Sequence, residues 1–182
     1  MTHFEYLIVA FSILIAMALA RLLEGLVHAV RAQSGYWIHS SWLVLVFMNA
    51  LMLWWVLWEL SEAEWTLYTF LTLLAGPVLI FVQAAVLVPL DPNVINNWRV
   101  YFRDNARLFF LVRAVAVIQT VVAGRILTDV LPSRSLILGP LMAAVFVSAA
   151  FIRNERYQTA VVVFSFLVLA AGVPTLVHVT NS

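Results

Sequence analysis

Arg21, Glu24 and His28 stand three and four residues apart inside an otherwise apolar stretch, a spacing that puts all three on one side of a helix. A charged side chain in lipid costs about 2.5–3.5 kcal/mol on insertion scales, so an intramembrane Arg and Glu need protein partners or water. Chemically the cluster offers an ionisable carboxylate at Glu24, a counter-charge at Arg21, and an imidazole at His28 able to relay protons. Ser12, Ala16 and Ala20 precede Glu24 at intervals of four. Small residues let a partner helix approach closely, so this stripe is predicted to face the bundle interior and lead into the polar cluster. Arg113, about a turn and a half into a later span, is expected opposite Glu24 as an alternative ion-pair partner. Ser12 and Asn49 are polar points along the same path. Arg125 and Asp129, four apart, form a second candidate pair near the other membrane face.

Other chemistry is limited by what the chain lacks. All ten basic residues are Arg, and Cys is absent. Schiff-base lysines, thiolate nucleophiles, iron–sulfur clusters and zinc-thiolate sites are thereby removed. The sequence contains no H-E-x-x-H, Walker or G-x-S-x-G motif. Bis-histidine haem needs two imidazoles facing each other inside a bundle. His3, His28, His39 and His178 all fall at helix ends or loops, so no cofactor and no metal are expected. A net charge of +1 without a basic tail gives no attraction for nucleic acid.

The elements that must position these groups follow from composition. Of 182 residues, 64% are hydrophobic and 10% charged, with a mean hydropathy of +1.01. Soluble domains carry about 25% charged residues, so this composition reads as an integral membrane protein. Six apolar stretches can span ~30 Å of hydrocarbon: residues 4–30, 37–60, 65–90, 107–131, 135–153 and 157–179. The predicted fold is all-α, a single polytopic bundle of six transmembrane helices joined by short loops. The first stretch lacks a basic leader and a small-residue cleavage site, so it reads as a retained span.

Residues 94–106 read as an amphipathic helix at the membrane interface, with Trp98 on one side and Arg99, Arg103 and Arg107 recurring every four residues. Trp37, Trp42 and Trp65 also fall near predicted boundaries, as an aromatic belt requires. Gly76-Pro77, Gly139-Pro140 and Gly172 with Pro174 predict bends. Asn49, Gln83 and Gln119 predict interhelical hydrogen bonds.

Orientation follows from the arginines. Loops after the first, third and fifth spans hold Arg31, Arg99, Arg103, Arg107, Arg153 and Arg156, against Arg134 on the other side. The positive-inside rule places both termini on the non-cytoplasmic side. The expected role is an oligomeric channel or small transporter for an ion or small solute, with its polar site around Glu24. The alternatives are a non-catalytic membrane assembly subunit that binds a partner protein or lipid, and a lipid-modifying membrane enzyme. Expected partners are membrane lipids and further copies of the chain, with a membrane protein as the alternative; the expected location is a cell membrane, the bacterial cytoplasmic membrane.

Overall fold

All regular structure among the described residues is helical. The computed structural model describes residues 3–31, 35–59, 66–128 and 133–179, with side chains at 7–31, 35–56, 66–127 and 136–172. Six α-helices follow in order: α1 (His3–Arg31), α2 (Trp37–Glu59), α3 (Leu67–Leu87), α4 (Trp98–Thr128), α5 (Ser133–Phe151) and α6 (Glu155–Val179). A short 3-10 helix, Pro92–Val94, lies between α3 and α4. Four helical stretches are long and apolar enough to cross a membrane: Leu7–Arg31, Trp37–Val56, Leu67–Val94 and Trp98–Leu127. The apolar part of α5, Leu136–Phe151, is shorter.

Short polar side chains set the helix starts. Thr66 and Thr69 form a reciprocal capping box at α3, each hydroxyl accepting the other's backbone N–H at 3.2 and 2.9 Å. The Asn97 Oδ1 accepts from the Arg99 and Val100 N–H groups at α4, and the Asn154 Oδ1 accepts from the Arg156 N–H at α6. Asp91 does the same for Asn93 in the DPN turn. Each satisfies N–H groups that a helix start leaves without an intrahelical acceptor.

α4 packs chiefly on α5 and α3, and α1 packs on α3 and α2, so α3 stands between α1 and α4. α6 closes against α2 and α5. At the centre lies an aromatic cluster in which Trp42 of α2 meets Phe109 and Phe110 of α4 and Phe146 of α5 edge-on.

Two expectations are corrected here. The stripe on α1 faces outward: Ala16, Ala20 and Glu24 are exposed, and Ser12 and His28 are half-buried. The buried face is instead Leu7, Phe11, Ile15, Ala18, Leu22, Gly25 and Ala29. Bulky side chains on that face fill the interior, while Gly25 admits close approach: a Cβ there would overlap the Val88 side chain. The second correction concerns residues 94–106, which form no separate interfacial helix. Val94 ends the 3-10 helix, and residues 98–106 are the first turns of a continuous α4. No proline interrupts α4, and its aromatic face is taken up by protein, Trp98 being 1% exposed and stacked on His39.

Candidate functional site

The polar side chains of the bundle converge on the end of α3. Val88 leaves the helix in extended conformation, and Pro89 follows with no N–H. The last carbonyls of a helix lack intrahelical donors, and here three other helices supply them. Tyr101 of α4 donates its hydroxyl to the Val86 carbonyl at 3.0 Å. His39 of α2 donates Nε2–H to the Leu87 carbonyl at 2.9 Å. Arg21 of α1 donates Nε and Nη2 to the Val88 carbonyl at 3.2 and 2.9 Å. A carbonyl only accepts, so His39 carries its proton on Nε2. Its Nδ1 is buried without a partner against Trp98.

Arg21 therefore lies at the level where α3 ends rather than in mid-span. Glu24 is exposed on α1 and forms no hydrogen bond or ion pair with a described residue; His28 is half-buried and likewise unbonded. The expected Glu24–Arg113 contact is not formed, because Glu24 points away from α3 and α4 lies on α3's other side. Arg113 is 9% exposed, and its Nη1 donates to the Gln83 Oε1 at 3.1 Å. Its guanidinium sits 6.0 Å from the Trp42 ring and 5.6 Å from that of Phe146. An amide dipole and two aromatic faces, rather than a carboxylate, stabilise this buried cation. Its Nε has no partner.

The other predicted residues do not join these. Asn49 donates to the Leu45 carbonyl of its own helix, and Ser12 makes no bond to a described residue. Gln119 does reach across, donating to the Thr72 carbonyl of α3 at 2.8 Å, in the turn before Pro77. Arg125 is exposed, and Asp129 lies outside the described residues.

A second polar region occupies the same end of the bundle. Tyr36, Arg99, Phe102, Arg103, Arg153, Glu155 and Gln158 line a partly open pocket of about 30 Å³. Arg99 pairs with Glu155 at 3.2 Å, both substantially exposed, and lies 5.3 Å over the Tyr36 ring. Burial and the Glu155 charge raise the Tyr36 phenol above its usual pKa, against the lowering influence of Arg99 and Arg103, so it remains a neutral wall. Arg107, on the next turn of α4, sits 4.9 Å over Phe151.

Sequence reasoning gave no site role to His39, Tyr101, Arg153 or Gln158. The signal for the first two is the V-P step itself, which terminates an apolar helix and so demands donors at that depth. No family model matches the chain, and neither a curated protein nor a solved structure gives a significant match.

Proposed function

We propose that this chain is a non-catalytic membrane assembly subunit whose outward α1 face packs against a second copy. The observation that carries this reading is the division of its polar groups. Arg21, His39, Tyr101 and Arg113 are engaged with the chain's own carbonyls and amide, whereas Ala16, Ala20 and Glu24 line one exposed face of α1. Small residues favour close helix contact, and a carboxylate beside them favours a partner that brings a donor. All six helices span in this reading, the arginine-bearing end faces the cytoplasm, and the setting is the bacterial cytoplasmic membrane.

The absence of Cys makes single-cysteine tests clean. Oxidation of Ala16→Cys or Ala20→Cys in native membranes is expected to trap a disulfide-linked dimer, since bridging requires Cα atoms within about 7 Å. Leu167→Cys, on the exposed face of α6, is expected to stay monomeric. If neither α1 variant links, or all three link equally, the reading fails.

A second reading, an ion or solute path between copies, is favoured by the position of Glu24 on that same face. Flux in proteoliposomes that Glu24→Gln abolishes, with dimer formation intact, would select it.

A further inference from the structure

We propose that the pocket at the arginine-bearing end binds the phosphodiester headgroup of a membrane lipid, with Arg103 and Arg153 on the phosphate. This goes beyond the assembly role and does not depend on it. The pocket joins three otherwise separate pieces of chain: Tyr36 before α2, the first turns of α4, and the α5–α6 turn. It holds three guanidinium groups against one carboxylate. Glu155 is engaged by Arg99, whereas Arg103 and Arg153 form no hydrogen bond or ion pair with any described residue. Both guanidinium groups border one small opening, where a single anion can accept from the two of them. Phosphate oxygens accept from such forks in charge-assisted bonds.

Gln158 supplies an independent indication and narrows the headgroup. It lines the pocket and is 7% exposed. Its Nε2 donates to the Ala149 and Ile152 carbonyls, both at 2.9 Å. Those two acceptors fix the amide orientation, because the flipped amide would set oxygen against oxygen. The Oε1 is left buried with no partner. A buried acceptor of this kind calls for a donor, and the Glu155 carboxylate, another wall of the pocket with its Oε1 taken by Arg99, accepts one as well. The matching ligand therefore carries a phosphate and, a few bonds away, an ammonium or hydroxyl group. Ethanolamine and glycerol headgroups have both; a choline headgroup has no N–H or O–H to offer.

A lipid rather than a soluble phosphate ester follows from the rim. Trp37, Val100 and Ile152 adjoin pocket residues in the chain and are exposed, an apolar border suited to acyl chains. At about 30 Å³ the cavity admits headgroup oxygens rather than a whole metabolite.

The test is native mass spectrometry of the full chain released from nanodiscs containing phosphatidylethanolamine, phosphatidylglycerol or phosphatidylcholine. One lipid is expected to be retained from the first two and roughly tenfold less from the third, the order of one charge-assisted hydrogen bond. Arg103→Gln with Arg153→Gln is expected to lower retention of the first two by at least about tenfold. Both side chains are exposed, so folding is not at stake; an unchanged melting temperature checks this. Arg31→Gln, exposed at the end of α1, removes one charge outside the pocket and should retain lipid normally. Glycerophosphoethanolamine and inorganic phosphate, added to detergent-solubilised protein, test the soluble source. Equal retention of all three lipids, retention unaffected by the double variant, or equal competition by either soluble phosphate would overturn the proposal.

Discussion

Arg113 is the residue whose energetics depart furthest from what its type implies. A buried cation usually answers a carboxylate, and taking it out of water costs several kcal/mol unless hydrogen bonds compensate. Here the compensation is one amide oxygen and two ring faces. Arg113→Met alone is expected to destabilise by about 1–3 kcal/mol, because it strands the Gln83 oxygen. Arg113→Met combined with Gln83→Leu is expected to return to wild-type stability or exceed it, as replaced buried polar pairs often do. Denaturant titration in detergent gives both values. A double variant as unstable as the single would show that Arg113 serves something besides Gln83. Arg21 follows the opposite logic, since its partner is a backbone carbonyl that no substitution removes. Arg21→Ala is expected to cost about 1–3 kcal/mol in the same assay, and Arg21→Lys to recover part of it through a single donor. Both arginines stand out in the sequence as charges within apolar runs. Their partners do not, because a search for opposite charges passes over an amide and a carbonyl that serve equally well.

At the scale of the element, the end of α3 is the organising feature. A helix that stops at Val-Pro within an apolar run leaves carbonyls that lipid cannot satisfy, and α1, α2 and α4 are each tied to that point by one side chain. Gly25 makes the α1 tie possible by letting its backbone approach Val88. Gly25→Ala pushes a methyl group into a β-branched side chain that has little room to turn. The expected loss is about 1–3 kcal/mol, the range for overpacking. Gly172→Ala, where a Cβ meets no described residue within 4 Å, is the matched control and should leave the melting temperature within error. Equal effects at both positions would mean that helix propensity, not the α1–α3 approach, governs Gly25. Helix positions were readable from the apolar run lengths. The inward face of α1 was not. In a helix apolar almost all round, periodicity does not distinguish a face turned to protein from one turned to lipid, and small residues suit either.

The whole molecule is asymmetric in charge along its helix axes. Tyr36, Arg99, Arg103 and Arg153 meet around one pocket, so the connections after α1, α3 and α5 lie together at one end. Arg21 and Tyr101 bind the end of α3 at that same level. α3 contains 21 residues, which at 1.5 Å each is about 31 Å, the thickness of a hydrocarbon core. If α3 spans, that end sits at one membrane surface, which the orientation proposed above makes the cytoplasmic one. Val94→Cys and Asn154→Cys should then resist a membrane-impermeant maleimide in intact cells and react once the membrane is opened. Thr66→Cys, exposed at the start of α3, should react from outside. The opposite labelling would reverse the orientation and place the proposed lipid site in the outer leaflet. Mixed labelling of Val94→Cys and Asn154→Cys would contradict the pocket itself, because one opening cannot draw its walls from both sides of a membrane.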